Sequence, residues 1–138
     1  MLFLDTSALL KRYVAEDGTS LVLDLMEREA EWFASALAYA ETQITICRIG
    51  YGDRFEAQGR ARLATDWERF RVVPVDSRCL ADAAGIGCTH KVRTLDAIHL
   101  AAADRLPGPL TFLTFDRRQA TAARAMGIEV VGDDIEEV

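Results

Sequence analysis

Asp5, Glu41, Asp96 and Asp116 are the residues of this 138-residue chain whose types and placement could do chemistry together. Asp5 follows the apolar run Leu2-Phe3-Leu4, and Asp116 follows the apolar segment 110–115, so both stand where a strand would end. In an open parallel sheet ligands bind beyond the carboxyl ends of the strands, which makes the two acids candidates for one edge. Each could also simply cap the helix after it, since aspartate is a favoured N-cap. Glu41 shares a helix face with Leu37, Ala40, Ile44 and Arg48, so a carboxylate interrupts a largely apolar stripe, with Arg48 as a partner within reach. Asp96 lies beside His99, Leu100 and Ala103, in a first helical turn where the macrodipole favours an acid. Two like charges ~4 Å apart repel by about 4 kcal/mol at an effective dielectric of roughly 20. Four carboxylates at one edge would therefore take up protons or hold cations, and their hard oxygens suit Mg²⁺ or Mn²⁺. A site of that kind orients a water for in-line attack and stabilises the leaving oxygen.

The net charge of −6 argues against a protein that binds nucleic acid by bulk electrostatics. It is compatible with an enzyme that holds cations and carries a local basic rim, for which Lys11, Arg12, Lys91, Arg93, Arg117 and Arg118 are candidates. Taken one at a time, solvated surface charge is the ordinary role of such residues.

The elements that must position the acids follow from the pattern of apolar residues and breaks. Residues 8–14 read as a helix, and Gly18-Thr19-Ser20 opens a second with Leu21, Leu25 and Met26 inward. Residues 32–34 read as a strand, and Ser35 caps a helix reaching about Ile49 before the Gly50-Tyr51-Gly52 break. Segment 56–70 is a charged helix with Leu63, Trp67 and Phe70 turned inward. Residues 72–75 form a buried strand, placed at an edge by Pro74, and a helix over 77–84 ends near Gly85 and Gly87. Thr94 caps a helix over 95–106, which Pro107-Gly108-Pro109 stops. A strand at 110–115, a helix at 117–126 and a strand at 129–131 follow, and the acidic tail 133–138 is loose. Strands alternating with helices predict an α/β fold, a three-layer α/β/α sandwich around a mostly parallel sheet, as one domain over residues 1–138.

Composition sets outer limits. Cys47, Cys79 and Cys88 form no CxxC pair and read as small core residues in a reducing cytosol, not a disulfide framework. Two histidines, His90 and His99, supply a zinc site poorly. No run is long enough to span a bilayer, and the N-terminus lacks the features of a signal peptide, so a cytoplasmic protein is expected.

Phe3-Leu4-Asp5-Thr6-Ser7-Ala8-Leu9, Ala40-Glu41, the run Arg93-Thr94-Leu95-Asp96-Ala97-Ile98-His99-Leu100-Ala101, and Thr114-Phe115-Asp116 resemble the ordered signature of PIN-domain nucleases. In spacing and length the chain is most similar to the VapC-like toxins of toxin–antitoxin modules. The resemblance covers nearly the whole chain and is weakest between Gly50 and Phe70, which leaves the groove and its target preference open. It implies an Mg²⁺- or Mn²⁺-dependent endoribonuclease with Asp5, Glu41, Asp96 and Asp116 as the acidic, metal-holding site. It also implies hydroxyl support from Thr6 or Ser7 and from Thr114, homodimerisation, and inhibition by a cognate antitoxin. His99 falls inside the third motif and reads as a packed helix-face histidine. A haloacid-dehalogenase-type enzyme would want a second Asp where Ser7 stands, and no glycine-rich phosphate loop with lysine is present. The alternative from another class is a catalytically silent PIN-like module that only binds RNA or a protein.

Overall fold

Leu2, Phe3 and Leu4 have no exposed surface at all, because β1 (Leu2–Leu4) is the middle strand of a five-stranded sheet and is covered on both faces. The computed structural model describes residues 1–135. The other strands are β2 (Trp32–Ser35), β3 (Arg71–Val73), β4 (Thr111–Leu113) and β5 (Glu129–Val131), in the order β3-β2-β1-β4-β5. Every pairing is parallel, so all five carboxyl ends point to the same edge. The chain passes from β1 to β2 on one side and reaches β4 on the other. The topological switch point therefore lies between β1 and β4.

Alternate residues along each strand feed two cores. Leu2, Leu4, Trp32, Ala34 and Leu113 face one side, where α1 (Thr6–Lys11), α2 (Thr19–Arg28), α3 (Leu37–Arg48) and α4 (Asp53–Arg69) cover them. Phe3, Phe33 and Phe112 face the other, beneath α5 (Ser77–His90), α6 (Thr94–Asp104) and α7 (Arg117–Ala125). Phe3 and Phe112 stack across the switch point with ring centroids 5.2 Å apart. The expected three-layer α/β/α sandwich is thus present, with a sheet that is parallel throughout. Among the described residues no helix is long and apolar enough to cross a membrane.

Several boundaries differ from the sequence expectation. α5 continues through Gly85 and Gly87 to His90, because its long packing against α6 outweighs the ~1 kcal/mol that a glycine costs a helix interior. Lys91, at φ 55°, then makes the left-handed exit that a glycine was expected to make. Ser35 does not cap α3. It ends β2, and the helix starts from Ala36 without a side-chain cap. Residues 72–75 are less buried than expected: the strand covers Arg71–Val73 at the sheet edge, with Arg71 and Val72 exposed. Only Cys79 is a core cysteine; Cys47 and Cys88 are exposed, and all three are free thiols. In the acidic tail, Asp133 is held by two bonds from Arg124 (2.7 and 2.8 Å), while residues 136–138 lie outside the described residues. Gly132 is required where it stands: at φ 111°, a β-carbon there would meet the Thr114 carbonyl oxygen at 2.5 Å.

Candidate active site

The sheet delivers Asp5 and Asp116 to either side of the switch point, just past the ends of β1 and β4. Both are helix N-caps as well. Asp5 Oδ1 accepts from the Ala8 amide at the start of α1, and Asp116 Oδ1 accepts from the Arg118 and Gln119 amides at the start of α7. Capping and site placement are therefore one arrangement, since a helix beginning at a strand's carboxyl end needs its cap where the site lies.

A hydroxyl ladder joins the two strands. Ser7 Oγ donates to Asp5 Oδ1 (2.7 Å) and accepts from the Phe115 amide (3.0 Å). Thr114 Oγ1 donates to Asp5 Oδ2 and accepts from the Asp116 amide (3.1 Å). Gln119 Nε2 adds a fourth donor to Asp5, on Oδ2 at 3.2 Å. Asp5 is 3% exposed and accepts these bonds on both oxygens. Burial nevertheless pushes its carboxyl above the ordinary value, against the lowering by nearby His99 and by the bonds from Ser7, Thr114 and Ala8.

Asp96 enters from the first turn of α6 and is half-buried. Its carboxyl is raised first by burial and then by Asp116, with a further contribution from Asp5; His99 and Arg93 pull the other way. Asp96 thus lies near enough to Asp116 and Asp5 for both to raise it.

Glu41 is placed differently from the expectation. The buried face of α3 is Ala38, Thr42 and Ile46, while Ala40, Ile44 and Arg48 face solvent. Arg48 is not its partner. Glu41 Oε1 instead accepts from Thr6 Oγ1 and lies 2.7 Å from His99 Nε2. Burial raises the Glu41 carboxyl, but the bonds from His99 and Thr6 outweigh it and hold the group below its ordinary value of 4.5. His99, 2% exposed, also meets Thr6 Oγ1 at 3.2 Å and, through Nδ1, Ser35 Oγ at 3.0 Å.

The basic residues divide into two groups. Lys11 is 1% exposed, paired with Glu16 at 3.2 Å and seated 4.6 Å over the Phe115 ring, so it is no part of a rim. Arg12 is bound to Asp66 and lies over Trp32, which makes it a link between helices. Lys91, Arg93, Arg117 and Arg118 are exposed. His90, Lys91, Arg117 and Arg118 line a cleft of about 320 Å³ beside Asp116, and no acid lines it. A larger groove, of about 490 Å³ between α3 and α4, is lined by residues such as Tyr39, Ile44 and Arg48 and by none of the four acids.

The profile of the PIN-domain family matches residues 2–125. Ribonuclease VapC46 of Mycobacterium tuberculosis is 35% identical over 131 residues, spanning 94% of this chain and 95% of that protein. Ribonuclease VapC47 of the same species is 31% identical over 132 residues, spanning 92% and 93%. The chain belongs to the PIN-domain family, in its VapC branch. Solved PIN-fold structures superpose closely. A FitAB complex bound to a DNA fragment gives a TM-score of 0.74 at 21% identity, over 95% of this chain and 94% of that one. VapC20 of Mycobacterium tuberculosis, described as a toxin that cleaves the sarcin-ricin loop, gives 0.70 at 23%, over 88% and 95%. At those identities the likeness speaks for the fold.

In this PIN domain no three His, Cys, Asp or Glu side chains among the described residues close into a metal cage on their own. The donor chemistry nonetheless suits a hard cation, because Mg²⁺ keeps several waters and takes only one or two carboxylates directly. The raised Asp96, set against Asp116 and Asp5, is a negative cluster that a cation would relieve. The sequence reading missed two residues of the PIN site. Gln119 stands three after Asp116, the spacing of a capping box, but its side chain turns to Asp5 rather than back to the cap. His99 lies inside the third motif and reads there as a packed helix-face histidine; its bonds to Glu41 and Ser35, 58 and 64 residues away, carry no local signal.

Proposed function

We propose that the chain is a divalent-metal-dependent endoribonuclease, the toxin of a toxin–antitoxin pair. The observations that support this reading are Asp5 and Asp116 just past the ends of β1 and β4 at the switch point, Asp96 near enough for both to raise its carboxyl, and a chain 35% identical to a ribonuclease. Asp5, Asp96 and Asp116, with Glu41, would hold Mg²⁺ or Mn²⁺, which when bound polarises the scissile phosphate and a water for in-line displacement. Thr114 and Ser7 keep Asp5 aimed from behind, and Thr6 does the same for Glu41. The cleft of His90, Lys91, Arg117 and Arg118, with Arg93 nearby in the chain, receives the flanking phosphates of RNA. It offsets locally a net charge of −6 that would otherwise repel them.

A cognate antitoxin and a homodimer belong to the same reading. Toxin–antitoxin complexes with this fold, such as one from Klebsiella pneumoniae (TM-score 0.70), support the first. Exposed Leu80 and Leu95 on neighbouring helices offer apolar surface for the second.

The test is cleavage of a mixed RNA pool by the purified chain with Mg²⁺ or Mn²⁺, beside Asp96→Asn prepared identically. Cutting by the wild type alone, stopped by chelator and restored by metal, is the expected result. Equal cutting by both would remove Asp96 from the chemistry. RNA binding without cutting, over a broad substrate panel, would make the chain a binding module.

A further inference from the structure

We propose that His99 is a positioning residue that fixes the Glu41 carboxylate through one oxygen and leaves the other free to ligate. This rests on the metal-dependent reading of the acid cluster. Glu41 projects from α3, on the opposite face of the sheet from α6, where His99 sits. The two meet past the end of β2, and His99 Nε2 and Thr6 Oγ1 both engage the same atom, Glu41 Oε1. Among the described residues no hydrogen bond reaches Oε2. A carboxylate anchored at one oxygen and open at the other is the arrangement by which outer-shell partners orient a metal ligand.

A carboxylate oxygen only accepts, so Nε2 carries a proton toward Glu41, while Nδ1 lies 3.0 Å from the Ser35 hydroxyl. Ser35 is fully buried at the end of β2, where it keeps the ring from turning. The device therefore runs from β2 through α6 to α3, with Thr6 of α1 as a second support. Loose in solvent, a glutamate side chain would lose rotamer entropy on being fixed. Here that ordering is complete before any cation or RNA arrives. A histidine that merely fills the core would also need partners for its two nitrogens, so it is variants at position 99 that separate the roles.

The test separates the two ring nitrogens. Glutamine at position 99 reaches about as far as Nε2 and retains the donor to Glu41, whereas asparagine reaches only to Nδ1 and retains only the Ser35 contact. Mn²⁺ affinity of the purified chain is measured by calorimetry without RNA, alongside the melting temperature and RNA cleavage. His99→Asn is expected to weaken Mn²⁺ binding about tenfold or more. His99→Gln should stay close to wild type, and adding His99→Asn to Glu41→Gln should cause no further loss, since the residue it positions is already gone. Wild-type affinity in His99→Asn overturns the proposal. So does a loss in His99→Gln as large as that in Glu41→Gln, a comparison that holds even if the asparagine variant does not fold. Absence of Mn²⁺ binding by the wild type overturns it together with the metal reading. The expected pattern with no RNA cleavage by the wild type would leave His99 in place and reject the ribonuclease reading alone.

Discussion

Asp5 shows how a buried charge can be both satisfied and costly. Four donors reach its two oxygens, yet burial still raises its carboxyl, so the ionised form is held at a penalty. Gln119 Oε1 is buried without a hydrogen-bond partner among the described residues. In Asp5→Asn the new amide takes the place of Oδ2, the Thr114 hydroxyl turns from donating to accepting, and Gln119 turns its amide over to present that unused oxygen. We therefore predict that Asp5→Asn loses cleavage but gains on the order of 1 kcal/mol of stability, whereas Asp5→Ala loses about 1–3 kcal/mol by stranding donors and removing a cap. Denaturant melts of both variants check this, and an asparagine variant less stable than wild type would refute it. Asp96 gives a pH signature. Its folded-state pKa lies above the ordinary 3.8, so its contribution to stability is present below 3.8 and is lost as pH rises through the raised value. Asp96→Asn should then melt higher than wild type at pH 7, with the gap closing in acid and also narrowing when Mn²⁺ is added at pH 7. A gap independent of pH would show that Asp96 ionisation costs the fold nothing.

Among the elements, α1 is only six residues long and must nevertheless hold Thr6 and Ser7 at the site. What fixes it is a clamp to α4 at its far end. Arg12 binds Asp66 through Nε (2.7 Å) and a terminal nitrogen (3.3 Å), and the Tyr13 hydroxyl donates to the same carboxylate at 2.6 Å. Burial raises Asp66, but the bonds from Arg12 and Tyr13 outweigh it and hold it below 3.8. That contribution is present above 3.8 and is lost as pH falls through the lowered value. Asp66→Ala is expected to cost about 2 kcal/mol at neutral pH and much less in strong acid. Urea midpoints across pH measure it, and a cost that does not fade in acid would point to packing instead of charge. The same clamp explains why Arg12, which looks like a rim residue in the sequence, is unavailable to RNA.

At the scale of the whole molecule, the proposed function would require a chain of net charge −6 to attract a polyanion through a small part of its surface. The four basic residues of the cleft beside Asp116 are where that happens in the proposed function. Replacing Arg117 and Arg118 together by alanine should weaken RNA binding about tenfold in roughly 0.1 M salt. The salt dependence should flatten by about one to two ions, with little change in melting temperature. Binding by an Asp96→Asn protein, followed by fluorescence anisotropy over a salt series, measures this without cleavage. An unchanged slope would place the RNA path elsewhere, with the groove between α3 and α4 as the next surface to examine.

By itself the sequence determined the layers and a mostly parallel sheet, and it singled out the four acids as candidates. Those follow from local signals: apolar runs too short for helices, breaks between them, and acids one residue past a strand or in a first helical turn. β5 falls on the expected residues 129–131 for that reason. Tertiary structure decided how the acids are held. Glu41 was matched to Arg48 by helical spacing, but the rotation of α3 turns Arg48 to solvent and brings Glu41 to His99, 58 residues away. Ser35 has the chemistry of a cap and is used as a brace for that histidine. Gln119 reaches Asp5 across 114 residues. Lys11 and Arg12 became interior links once α1 was laid against its neighbours. Periodicity fixes which residues share a face of one helix. It carries no information about how that helix is rotated against the sheet, and it is this rotation that chooses the hydrogen-bond partners of the site.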